Sequence, residues 1–267
     1  MDHIDAPDPR LLDERRRPAN PALELRAPVE LAAFVAANPA LQLAPRGDGR
    51  PVLVLPGFVA SDSSTVPLRT LLRQLGHRPY GWGLGRNLGP TPDVVVGLQQ
   101  LLVEASDAAG GPVPIVGWSL GGVYGRYLSM IDTDRVSQVI SLGSPFNIGI
   151  DELALPTPLW DALAEEGDFV HDRGTIDLDR IPVPSTAVYS RTDGVVAWRS
   201  CIQTPRRFAE NVEVCGSHIG LGVSVSVALV IADRLAQTDD RWRPFEKRRT
   251  RAPWLFPRRR SPFAAAA

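Results

Sequence analysis

Pro51-Val52-Leu53-Val54-Leu55 carries no polar side chain, and a continuous apolar run this short is the mark of a central parallel strand covered on both faces. Val113-Pro114-Ile115-Val116 repeats the pattern, and residues 136–142, 185–189 and 211–214, which mix apolar with polar residues, also read as strands. Residues 77–82 add a strand between the first two. Helical segments fill the gaps: residues 66–75, 93–109, a helix entered at Gly121-Gly122, and a closing helix over 222–235. Residues 28–38, with proline near the start and Asn38 at the end, predict a helix covering an edge of the sheet. Strands alternating with helices predict the α/β class, as one doubly wound, mostly parallel sheet.

Outside this frame the pattern fails in three places. Residues 1–22 are rich in proline and charge and read as an irregular arm ahead of a domain over 23–240. The connection over 146–181 is far longer than the ~2–6 residues usual in an α/β unit. It reads as a small cap with an apolar wall from Leu153, Leu155, Leu159 and Trp160, or else as a surface excursion with its own apolar cluster. Residues 241–267 form a tail in which Arg and Lys interleave with Trp242, Phe245, Trp254, Phe256 and Phe263.

Charge sharpens that last point. The chain has 267 residues and a formal net charge of −1, yet the tail alone carries +8 and the rest −9. An acidic body gives no reason for a nucleic-acid partner. The basic, aromatic tail suits peripheral contact with an anionic membrane, a solubilising extension, or docking on the acidic body. No run approaches the roughly 20 apolar residues of a membrane span, and the first ten residues lack the apolar core of a secretory signal. A cytoplasmic chain is the expectation. Its two cysteines, Cys201 and Cys215, are then expected as free thiols, Cys215 packed as a small buried residue; a disulfide is the alternative.

The chemistry centres on Gly117-Trp118-Ser119-Leu120-Gly121, between a predicted strand and a predicted helix. A serine on a tight strand-to-helix turn is strained, needs small neighbours, and sits at a helix N-terminus that favours developing negative charge. A serine nucleophile needs a base, and the base an orienting acid. Of the four histidines, His3 lies in the arm, His77 opens a strand at the wrong edge, and His171 lies in the insertion. His218 follows the last strand and is the base by elimination. Asp193, just past the strand at 185–189, is the acid expected from the chain order; Asp172, Asp177 and Asp179 are rivals in a polar stretch before that strand. Oxyanion donors are expected from the backbone N–H of Leu120 and of Phe58, the latter aimed by a bend at Gly57; Pro56 has no N–H. Gly81-Trp82-Gly83-Leu84-Gly85-Arg86-Asn87 lacks the ending of a phosphate loop and reads as a packed loop whose Arg86 and Asn87 brace the Phe58 segment. No residue pattern suggests a metal.

With Pro56-Gly57-Phe58, Gly117-Trp118-Ser119-Leu120-Gly121-Gly122, Ser190-Arg191-Thr192-Asp193-Gly194 and Gly216-Ser217-His218 assembled, the chain resembles bacterial esterase- and lipase-like members of the α/β-hydrolase superfamily from about residue 52 to 235. The resemblance implies hydrolysis of a small-molecule or lipid carboxylic ester through an acyl-serine, without a cofactor. Trp118, Leu155, Leu159 and Trp160 are candidates to contact the substrate. Two departures from such relatives favour a general carboxylic ester hydrolase over a triacylglycerol lipase: no export signal is seen, and Pro56-Gly57 stands where His-Gly is usual. An acyltransferase or thioesterase would use the same residues. A non-catalytic binding module on this frame would be expected to lack one of the three.

Overall fold

The computed structural model describes residues 20–147, 177–237 and 242–258. The expected cap residues Leu153, Leu155, Leu159 and Trp160, the rival acid Asp172, and most of the N-terminal arm lie outside them. Six strands build one sheet: β1 (Pro51–Leu55), β2 (Arg78–Tyr80), β3 (Val113–Trp118), β4 (Val136–Leu142), β5 (Ser185–Ser190) and β6 (Ala209–Val214). Their order is β2-β1-β3-β4-β5-β6, and every neighbouring pair is parallel. β2 is shorter than the pattern predicts. Pro79 at its centre has no N–H for a further neighbour, and a proline of this kind belongs on an edge strand.

Alternation along each strand divides the core between two faces. Leu53, Leu55, Ile115 and Val139 face α3 (Pro92–Ala109) and α4 (Leu120–Ile131), meeting Leu98, Leu102, Tyr124 and Leu128. Val52, Val54, Val116 and Ile140 face the opposite way, onto Leu68 and Leu72 of α2 (Asp62–Gln74) and Val227, Val230 and Ile231 of α5 (Val225–Leu235). All of these side chains are buried. The closing helix starts later than expected. Residues Ile219–Val223 form a 3₁₀ turn, and Ser224 is extended (φ −87, ψ 134) before α5 begins.

The helix predicted over 28–38 runs over Ala27–Leu41 as α1, entered through a 3₁₀ turn at Pro21–Arg26. It does not cover an edge of the sheet. Phe34 and Leu41, seven residues and two turns apart, share one face and pack with Leu71 and Leu75 of α2 and Ala228 and Ala232 of α5. α1 is thus a third layer over two helices. This burial carries the helix through Pro39 to Leu41.

The C-terminal segment is also docked. Phe245 donates its N–H to Glu210 Oε2 at 2.7 Å, Arg234 Nη1 reaches the carbonyl of Arg243 at 2.7 Å, and Phe256 is buried among the β6 and α5 side chains. Trp242 meets Phe208 edge-on at 5.9 Å. The tail aromatics assembled from sequence for a membrane surface therefore include two, Phe245 and Phe256, that pack into the body; Trp254 is 76% exposed. Among the described residues no helix is long and apolar enough to cross a membrane. Cys201 is buried, but Cys215 is exposed rather than packed at the strand end as expected; both are free thiols.

The tail rests on a buried ion pair, Arg234 Nη1 to Glu210 Oε1 at 2.6 Å. Arg234→Met leaves Glu210 buried without its cation and is expected to cost about 3–5 kcal/mol in denaturant unfolding. Burial holds the Glu210 carboxyl above its ordinary value, against the opposing pull of Arg234. A group raised in the folded state contributes stability that is present at low pH and lost as pH rises through the raised value. The Arg234→Met deficit is therefore expected to be larger near pH 8 than near about pH 5.

Candidate active site

Because all six strands run the same way, the residues just after β3, β5 and β6 emerge at one edge of the sheet. Ser119 follows β3 directly and precedes α4. Its backbone is left-handed, φ 53 and ψ −122, a conformation that costs of order 1–3 kcal/mol for a residue with a Cβ. The turn holds because its N–H donates to Leu142 O at 2.8 Å and its carbonyl accepts from Gly122 N at 3.0 Å. It also needs bare backbone on both sides. A Cβ on Gly117 would fall 2.3 Å from Gly121 O, and one on Gly121 would fall 2.3 Å from Leu55 O.

His218 comes four residues after β6 and Asp193 three after β5. His218 Nδ1 lies 2.7 Å from Asp193 Oδ2, and His218 Nε2 lies 3.0 Å from Ser119 Oγ. A carboxylate only accepts, so Nδ1 carries the proton and Nε2 is left to accept from the serine hydroxyl. The Asp193 side chain is 1% exposed, and its other oxygen accepts from the N–H groups of Val195 at 2.9 Å and Val196 at 2.7 Å. Those bonds fix the rotation of the carboxylate. Gly143, at the end of β4 with φ +56, lies beneath the pair: a Cβ there would stand 3.2 Å from Asp193 Oδ2 and 3.3 Å from His218 Nδ1.

The two rival acids among the described residues are engaged elsewhere. Asp179 accepts from Thr204 N and Oγ1, both at 2.7 Å, and Asp177 accepts from Asp179 N at 3.0 Å. His77 is buried beside Gly47, and burial lowers its pKa. Trp118 turns towards the histidine loop: its indole N–H donates to His218 O at 3.0 Å, and its ring lies beside Gly222. Among the described residues no group of three or more His, Cys, Asp or Glu could hold a metal ion.

The Pro56–Gly57–Phe58 segment lies against the serine. A Cβ on Gly57 would sit 3.1 Å from Ser119 Cβ, which is why the chain can pass so close. Gly57 opens a turn, its carbonyl accepting from Ala60 N at 3.2 Å, and within that turn Val59 takes a positive φ of 54. Asn87 is fully buried and holds this loop by three bonds: Nδ2 to Pro56 O at 3.1 Å, Val59 N to its carbonyl at 2.7 Å, and its own N–H to Ala60 O at 2.8 Å. Arg86, expected to share that task, is exposed. Leu120 is the first residue of α4, where N–H groups have no intrahelical acceptor. Asn87→Ala removes the side-chain bond to Pro56 O but keeps the two backbone bonds, so the loop that carries the Phe58 N–H loses its hold on the Pro56 side only. Turnover is expected to fall about tenfold with little change in KM, read by steady-state kinetics.

Three residues of the site escaped the sequence reading. Glu24, Arg26 and Glu30, from the first described turn and α1, reach the loops of Asp193 and His218 across the molecule. Nothing local marks them, since their partners lie more than 160 residues away.

No protein-family model matches this chain, and no curated protein sequence does. Solved structures do match. Lipase B of Aspergillus fumigatus is 17% identical at a TM-score of 0.58, over 71% of this chain and 53% of that one, so this chain spans about half the length of the fungal enzyme. An α/β superfamily hydrolase from Oenococcus oeni is 17% identical at a TM-score of 0.52, over 72% of this chain and 94% of that one. The mature form of a Bacillus licheniformis lipase is 14% identical at a TM-score of 0.51, over 73% and 95%. Identities this low speak to architecture. With its parallel sheet, paired helical layers and strained serine between β3 and α4, the chain has the α/β-hydrolase fold.

Proposed function

We propose that this protein is a serine hydrolase that cleaves carboxylic esters through an acyl-serine. The reading rests on one observation above all, the unbroken hydrogen-bonded chain from Ser119 Oγ through His218 to Asp193. His218 Nε2 takes the hydroxyl proton as Ser119 Oγ attacks the ester carbonyl. Asp193 holds the proton on Nδ1 and balances the imidazolium that forms. The N–H groups of Phe58 and Leu120 receive the oxyanion, whose charge is also favoured by the N-terminus of α4. His218 returns the proton to the leaving alcohol, and a water activated by the same nitrogen then releases the acid. The names of the structural neighbours, two lipases and a hydrolase, support the same class.

A fluorophosphonate probe tests the nucleophile, and p-nitrophenyl esters of increasing acyl length test the substrate class. Labelling at Ser119 with hydrolysis of at least the short esters is expected. A chain that takes no label is not a serine hydrolase. One that labels, but transfers its acyl group only to an added alcohol or only from a thioester, is the acyltransferase or thioesterase of the same fold.

A further inference from the structure

The N-terminal segment reaches the two loops that the chemistry depends on. Glu24 Oε1 accepts from Gly194 N at 2.8 Å and from His218 N at 2.9 Å, while Oε2 accepts from Ile219 N at 2.8 Å. One carboxylate thus joins the residue after the acid, the base itself, and the residue after the base. Glu30 accepts from Ser217 N at 2.9 Å and from the Ser217 hydroxyl. Arg26 donates to Thr192 Oγ1 at 2.8 Å and pairs with Glu30 at 3.2 Å. Both loops are shaped for this contact. A Cβ on Gly194 would lie 2.5 Å from Asn20 O and 2.8 Å from Glu24 Oε1, and one on Gly220 would overlap Glu30 Oε2.

We propose that Glu24 is a positioning residue, whose carboxylate fastens the Asp193 loop to the His218 loop and so sets the Asp193–His218 hydrogen bond before substrate arrives. The inference rests on Ser119 acting as nucleophile with His218 as its base. β5 and β6 pair as far as Ser190 and Val214. Beyond them the Ser190 and Thr192 side chains bond Gly216 at the base of the two loops. Glu24 is the group that ties the loops at the acid and the base themselves. Backbone N–H groups in such loops need acceptors, and a carboxylate supplies two oxygens that only accept, with charge-assisted strength. An amide cannot replace it. Oε1 serves two N–H groups and Oε2 one, so either orientation of a glutamine sets its NH₂ against a donor.

Glu24→Gln tests this in the full chain. Turnover of a short p-nitrophenyl ester is expected to fall about 100-fold, with KM within about twofold, because the change misplaces the base without touching the substrate. Fluorophosphonate labelling of Ser119 is expected to slow in parallel. Phe34→Ala is the control for stability. It removes a buried side chain of α1 packed with Leu71, Leu75, Ala228 and Ala232, which lowers the melting temperature. It leaves the Glu24 carboxylate and its three bonds in place, and is expected to retain wild-type turnover well below its midpoint. Gly194→Ala displaces Glu24 from the other side and is expected to reproduce the Glu24→Gln kinetics. Wild-type turnover and labelling in Glu24→Gln, or losses that track only the unfolded fraction as in Phe34→Ala, overturn the proposal. A wild-type protein that labels at Ser119 but cleaves no ester overturns the ester reading alone, and the labelling rate of Glu24→Gln then decides the clamp. A wild-type protein that does not label overturns both.

Discussion

Ser119→Ala is expected to lower ester hydrolysis by a factor on the order of 10⁴ or more, because it removes the oxygen bonded to His218 Nε2. The fold is expected to survive. Alanine keeps the Cβ that serine already holds at φ 53, so the backbone strain is unchanged, and the packing beside Gly57 is the same. What is lost is one hydrogen bond, worth about 1 kcal/mol net. Steady-state hydrolysis, fluorophosphonate labelling and a denaturant melt on the same preparation separate the two effects. Substantial activity in a folded Ser119→Ala protein would place the nucleophile elsewhere.

Asp193→Asn is expected to cost a similar factor, about 10⁴ in turnover, by a different route. Two backbone N–H groups, from Val195 and Val196, hold Oδ1. In the asparagine variant the amide oxygen must stay with them, which turns the NH₂ towards His218 Nδ1. A donor facing Nδ1 makes that nitrogen the acceptor and moves the ring proton to Nε2, where it can no longer take the proton of Ser119. Flipping the amide only sets its NH₂ against two N–H donors. Turnover should therefore collapse while KM, which depends on contacts Asp193 does not make, changes little. Unimpaired turnover in Asp193→Asn would remove Asp193 from the role, and the hydrogen bonds already made by Asp177 and Asp179 leave neither facing His218.

The contrast between these two residues and Glu24 shows what a sequence makes visible. Ser119 stands out because the turn that exposes it imposes small residues within two positions on either side. Asp193 and His218 stand out because each closely follows a segment that reads as a strand, 185–189 and 211–214. Glu24 has no such mark. Its partners lie 170 to 195 residues further along, and any acceptor of the right reach would look the same in the sequence.

The same division runs through the fold. The short apolar runs, the helix boundaries at Thr91 and Gly110, and the glycines of the serine turn follow from rules that act over a few residues: strand alternation, capping and backbone sterics. The sequence by itself determined the parallel α/β sheet and the loops on which Ser119, Asp193 and His218 stand. Only the tertiary structure decided that α1 lies over α2 and α5 rather than at a sheet edge, that Val59 takes a positive φ in the turn opened by Gly57, and that Phe256 enters the core with Phe245 packed against it. It also decided that Cys215 faces outward. Each of these depends on which apolar surface remains uncovered, and which N–H groups remain without an acceptor, once the sheet and its helices have packed. Those are properties of the assembled surface, and no local pattern encodes them.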